Sequence, residues 1–167
     1  MNRKNNSAEH KVVILGSGFA GLYAARKLRK AHVDITIVDR KNHILRQSVK
    51  KTGHSQVLAA NVDQVLLVAT LVQPRTSLGF IDRFLLMTEP YHIPVHILFN
   101  KSDLYKSEDF EMFEMLKDIY GGIGYNVNLL SAQEDEDLSV IKAILKDKVS
   151  MIAGQSGVGK STLINKI

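Results

Sequence analysis

At 167 residues with 45% apolar content, the chain has a globular composition and is long enough to bury a core. It holds no cysteine, which excludes disulfides and any cysteine-ligated zinc or iron–sulfur site and suits a reducing cytoplasm, the expected location. The net charge of +5 is uneven: residues 1–60 hold twelve Lys and Arg against three acids, and residues 61–167 hold ten against fourteen.

The opening "MNRKNNSAEH" is polar and unlike a signal peptide, and no apolar run approaches the roughly 20 residues of a membrane span, so no membrane partner is expected. The basic front could meet RNA, another polyanion or a membrane surface, but it lacks interleaved aromatics and reads better as a solvated helix face with a basic tail. "KVVILG" at 11–16 predicts a buried strand. "FAGLYAARKLRKA" follows with Leu22, Ala25 and Leu28 at helical spacing, and "VDITIVD" at 33–39 alternates as a second strand. Residues 41–56 show no clean period and read as a basic linker. Strands are then expected at 64–71, 93–99, 125–130 and 149–153, all parallel, because helical stretches alternate with them. One of those helices, "SEDFEMFEMLKDIYGG", reads as capped by Ser107. The last, "KSTLINKI", begins directly after a glycine-rich turn.

That turn, "GQSGVGKS", fits the pattern G-x-x-x-x-G-K-[ST]. Its glycines let backbone N–H groups curl around phosphate oxygens at a helix N-terminus. The expected phosphate-binding set is Gly154, Gln155, Ser156, Gly157, Val158, Gly159, Lys160, Ser161 and Thr162. Lys160 would reach the β- and γ-phosphates, and Ser161 would place its hydroxyl on Mg2+. The base is chosen elsewhere. "NKSD" follows the buried strand "VHILF" at the place where a base-reading loop belongs. Guanine presents N1–H and N2–H2 on one edge, and the Asp103 carboxylate can accept from both. Asn100 would tie this loop to the phosphate loop, and the Lys101 stem would cover the ring. Ser131 and Ala132 close the next strand, where a backbone N–H would reach guanine O6.

The order of these motifs is unusual, with the base-reading loop first and the phosphate loop last. From about residue 41 onward, "AANVDQVLLVATL", "TSLGFIDRFLL", "IPVHILFNKSDL" and "GQSGVGKSTLIN" resemble the circularly permuted GTPases of the RsgA (YjeQ) type, which act in small ribosomal subunit maturation. The resemblance implies a GTPase, GTP or GDP with Mg2+ as ligand, and the small ribosomal subunit and its rRNA as partner. In that family a switch segment, an Asp-x-x-Gly turn and a zinc-binding domain follow the phosphate loop, and an OB-fold precedes the GTPase domain. None of these is found in the sequence, so zinc is not expected, no catalytic set is complete and turnover is expected to be negligible.

The front differs. "GSGFAG" places Gly16, Gly18 and Gly21 in a G-x-G-x-x-G turn between strand and helix, with Asp39 ending the second strand where a ribose-binding acid belongs. This stretch resembles the FAD-binding start of type II NADH dehydrogenases and related flavoproteins, over about the first 43 residues. FAD or NAD binding is the implied ligand chemistry, and a βαβ unit that packs and binds nothing remains open beside it. The expected organisation is an N-terminal Rossmann-like βαβ fragment, 1–43, joined to a partial circularly permuted P-loop GTPase domain, 44–167. "Arg40-Lys41-Asn42" fits either part. Three readings stand: a guanine-nucleotide binder, a piece of an FAD- or NAD-dependent oxidoreductase, and a fused, truncated fragment without function. His92 and His96 are four apart with Pro94 between them, which does not suit a shared metal. The acids Glu134 and Asp135, with the two that follow, read as a solvated loop favouring the next helix N-terminus.

Overall fold

The computed structural model describes residues 10–15, 19–28, 33–38, 41–47, 55–135 and 138–167. Contacts divide the chain into two compact units, 1–41 and 42–167. In the first, β1 (His10–Leu15) pairs in parallel with β2 (Val33–Val38), His10 opposite Val33 and Leu15 opposite Val38. A parallel pair needs a crossover, and α1 (Phe19–Leu28) supplies it. Gly21 lies inside α1, whereas Gly16, Gly18 and Asp39 lie outside the described residues.

The second unit opens with a hairpin-like pair that the sequence pattern hides. Residues 41–56, expected to be a linker, contain β3 (His43–Gln47) and the start of β4 (Ser55–Ala60), paired antiparallel with a register shift between Ile44 and Leu45. The strands are short and do not alternate cleanly, so their identity comes from cross-strand pairing and from Ile44, which is fully buried in the core. Asn42 anchors the entry: its side chain donates to the Val62 carbonyl at 2.7 Å and accepts from the Val62 N–H at 3.0 Å.

Four parallel strands form the main sheet, as the sequence predicts: β5 (Gln64–Ala69), β6 (Val95–Phe99), β7 (Asn126–Leu129) and β8 (Ser150–Ala153), in the order β7-β6-β5-β8. Every residue of β5 is buried, because both faces are covered and successive side chains point to opposite sides. Val65, Leu67 and Ala69 face one core with α2 (Leu78–Thr88) and α3 (Ser107–Gly122). Leu66 and Val68 face the other, with α4 (Ser139–Leu145) and α5 (Lys160–Lys166). α2 buries Ile81, Phe84, Leu85 and Thr88, a one-sided stripe at three- and four-residue spacing. The cap of α3 differs from expectation. Lys106, not Ser107, is the N-cap, because the Asp109 carboxylate takes the Lys106 N–H at 2.9 Å.

The loops after β5, β6, β7 and β8 all leave from the C-terminal ends of parallel strands. In an open α/β sheet, that edge is where ligands bind.

Candidate functional site

The phosphate loop runs from β8 into α5. Gly154 has φ +147°, and a Cβ there would collide with the Val68 carbonyl oxygen of β5. Gly159 has φ +95°, and a Cβ there would collide with Asn100 Nδ2. Both glycines are therefore required by close approach as well as by left-handed backbone. Lys160 folds back over the loop, its Nζ donating to the carbonyls of Gly154 at 3.0 Å and Gln155 at 2.6 Å. An ammonium has three donors, so one remains for a phosphate oxygen. Ser161 is exposed in the first turn of α5, and its hydroxyl is the oxygen donor a hard divalent cation prefers.

Asn100 joins three loops. Its side chain is 1% exposed; Nδ2 donates to the Val158 carbonyl at 2.8 Å, and Oδ1 accepts from the Ala132 N–H at 2.8 Å. The next residue, Lys101, takes φ +65°, a left-handed conformation uncommon outside glycine, which turns the chain sharply into the 3-10 turn Ser102–Leu104. Its Nζ donates to the Gln73 carbonyl at 2.6 Å. Asp103 is exposed, with Oδ1 accepting from the Ser131 hydroxyl at 2.5 Å. A pocket of about 330 Å³ opens among Asn100, Lys101, Asp103, Ala132, Gly159 and Thr162. The structure thus brings residues from three separate sequence motifs to one cavity.

The backbone N–H groups of Ser131 and Ala132, from which one donor to guanine O6 is expected, are both engaged within the protein. The Ser131 N–H goes to Asp135 Oδ2 at 2.7 Å, and the Ala132 N–H goes to Asn100. Each N–H is a single donor, so Ser131 and Ala132 hold the site's side chains in place instead of presenting free amides. The sequence also gave no sign of the loop after β5. Thr70 and Thr76 close it reciprocally: the Thr76 N–H donates to the Thr70 carbonyl at 2.8 Å, and the Thr70 N–H to Thr76 Oγ1 at 3.1 Å. Pro74 within it sits 3.3 Å from where a Cβ on Gly157 would stand. The Leu71 N–H donates to the Tyr105 hydroxyl oxygen at 3.1 Å, so the base-reading loop and this loop are tied together.

The family model described as RsgA GTPase matches residues 37–167. The chain belongs to the RsgA GTPase family. A model described as NAD(P)-binding Rossmann-like domain matches residues 14–54, so the two matches overlap over 37–54. The small ribosomal subunit biogenesis GTPase RsgA of Cytophaga hutchinsonii is 48% identical over 130 residues, covering 78% of this chain and 42% of that protein. RsgA 2 of Bacteroides thetaiotaomicron is 46% identical over 131 residues, covering 78% and 42%. The chain thus spans less than half the length of these curated relatives. Among solved structures, YjeQ from Thermotoga maritima aligns with a TM-score of 0.62 at 34% identity, over 84% of this chain and 54% of that one. YloQ, a circularly permuted GTPase, aligns with 0.59 at 32%, over 83% and 52%. The RsgA-type fold therefore includes β5 to α5, with the Asn100–Asp103 loop ahead of the Gly154–Ser161 loop in sequence.

Proposed function

We propose that residues 42–167 bind GDP and GTP, with the phosphates in the loop Gly154–Thr162 and the base against Asn100, Lys101 and Asp103. The observation that carries this reading is the Asn100 side chain. It bonds the phosphate loop at Val158 and the Ser131–Ala132 loop at once, and Asp103 of the one loop and Gly159 and Thr162 of the other line one cavity. An anionic phosphate chain meets the N-terminal end of α5 and the remaining Lys160 donor. At the other end, Asp103 accepts from guanine N1–H and N2–H2, a pair adenine does not offer. Mg2+ would be held by Ser161 together with the phosphates, neutralising their charge. The partner in this reading is the small ribosomal subunit with its rRNA, supported by the names of the relatives.

The test is a thermal-shift comparison with Mg·GDP, Mg·ADP and FAD, for the chain and for Lys160→Ala. A ligand that binds only the folded state raises the melting temperature. A rise with GDP and not ADP, lost in Lys160→Ala, is the expected result. No rise with GDP would overturn the reading.

A second reading concerns the front unit. The parallel β1–β2 pair with its α1 crossover and the Rossmann-like match over 14–54 favour an ADP-containing dinucleotide there, FAD or NAD. A rise with FAD or NAD that persists in Lys160→Ala supports it, and no rise with either removes it.

A further inference from the structure

Asp103 is exposed at the mouth of the pocket, and an exposed carboxylate turns about its last torsion unless a neighbour holds it. The Ser131 hydroxyl does so, donating to Asp103 Oδ1 at 2.5 Å. A hydroxyl carries one proton and two lone pairs, so its direction depends on what it accepts. Here the Glu134 N–H donates to Ser131 Oγ at 3.0 Å, leaving the hydroxyl proton for Asp103. The turn that delivers Glu134 is closed at both ends by Asp135. Its Oδ2 accepts the Ser131 N–H at 2.7 Å, and its own N–H donates to the Ser131 carbonyl at 2.9 Å. Of the two acids, Glu134 contributes its backbone to this network and Asp135 its carboxylate.

We propose that Asp135 is a positioning residue for base selection: through Ser131 it sets the angle of the Asp103 carboxylate and thereby the preference for guanine over hypoxanthine. The inference rests on the guanine-nucleotide reading above. Guanine needs both oxygens of one carboxylate, one for N1–H and one for N2–H2. Inosine diphosphate offers N1–H only. A carboxylate turned away from its set angle loses the two-point contact first, so the preference for GDP over IDP falls more than affinity in general.

The experiment measures Kd for Mg·GDP and Mg·IDP with the full chain, Asp135→Ala, Asp135→Asn, Ser131→Ala and the Ser131→Ala/Asp135→Ala double variant, each with its melting temperature. Asp135→Ala removes the acceptor of the Ser131 N–H. Its GDP-over-IDP ratio is expected to fall about tenfold, the scale of one hydrogen bond to a charged group. Asp135→Asn keeps an acceptor oxygen at the same place and is expected to restore the ratio to within about threefold, since a neutral acceptor is weaker but still directional. The double variant is expected to be no worse than Ser131→Ala alone, because both changes break one chain of contacts. Equal losses for GDP and IDP, or additive losses in the double variant, would overturn the proposal while leaving the guanine reading standing. A starting chain that does not prefer GDP to IDP overturns both. If Asp135→Ala does not melt cooperatively, Asp135→Asn against Ser131→Ala carries the comparison: an unchanged ratio in Ser131→Ala overturns the proposal.

Discussion

Asn100 Nδ2 donates to the Val158 carbonyl at 2.8 Å across 58 residues of sequence, in a place where neither group meets solvent. This contact makes the base-reading loop and the phosphate loop one structure. Asn100→Ala strands the Val158 carbonyl and the Ala132 N–H together. Two buried groups left without partners cost about 2–4 kcal/mol. The urea midpoint is expected to drop accordingly without a change in slope. A drop under about 1 kcal/mol would mean the loops stand independently.

Gly159, like Gly154, leaves no room for a side chain. Gly159→Ala meets Asn100 Nδ2 directly and also pays for a left-handed alanine, about 1–2 kcal/mol before the clash is counted. Stability and GDP binding are expected to fall together, measured by urea melt and by titration with a fluorescent GDP analogue. Retained binding would show that the Asn100 side chain swings aside.

Tyr105 is buried, and its hydroxyl oxygen accepts the Leu71 N–H; burial, the largest influence, raises its pKa above the ordinary value. Tyr105→Phe keeps the ring against Phe110 and leaves the Leu71 N–H unpaired. A loss of about 1–2 kcal/mol is expected. Amide exchange at residues 71–76 is expected to quicken more than exchange in β5, and uniform quickening would contradict the idea of a local tie.

His96 predicts a pH dependence. Gln64 Nε2 is committed to the Ile144 carbonyl at 2.7 Å and Ser150 Oγ at 2.8 Å, so its Oε1 faces His96 Nε2 at 3.2 Å and Lys148 Nζ at 3.1 Å. His96 Nε2 therefore carries the proton, and Nδ1 is buried with no partner among the described residues. Burial first, and the Lys148 ammonium second, lower the His96 pKa below 6.5. Below that pH the unfolded chain takes up a proton that the folded chain resists. Stability is thus complete above about pH 6.5 and falls as the pH drops through it. Urea midpoints between pH 7.5 and 5 should fall more steeply for the parent chain than for His96→Leu, and parallel curves would exclude His96 as the cause.

Much of this was legible beforehand, and the reasons are local. β5 and β6 are continuous apolar runs because both their faces are covered, and such runs survive in sequence. The phosphate loop is legible because its glycines and Lys160 recur at a fixed local spacing, although the groups that crowd Gly154 and Gly159, Val68 and Asn100, lie far away in sequence. Ile44 was invisible because its strand has no period of its own and takes its partner from β4. Asp135 was read as a solvated acid because its role depends on a turn folding back by four residues, which composition does not record. Tyr105 is tied to Leu71 across 34 residues, and no motif spans them. Lys106 replaces Ser107 as cap because the Asp109 carboxylate, at the third helical position, reaches back to the Lys106 N–H and starts the helix one residue earlier than a serine cap would.

β8 joins the sheet by pairing Gln64 with Ser150 and Leu67 with Ala153, next to a strand made more than eighty residues earlier. During synthesis the chain emerges from its N-terminal side, so β5, β6 and β7 with α2 and α3 are available to assemble first. Asn100, Lys101 and Asp103 are then in place before the Gly154–Thr162 loop exists. A nascent chain arrested before β8 would present only the Asn100–Asp103 side of the proposed cleft, and the arrival of that one strand would bring the other side to it. In the proposed reading, the pairing of β8 with β5 is also the step that brings the phosphate loop to the Asn100 side chain.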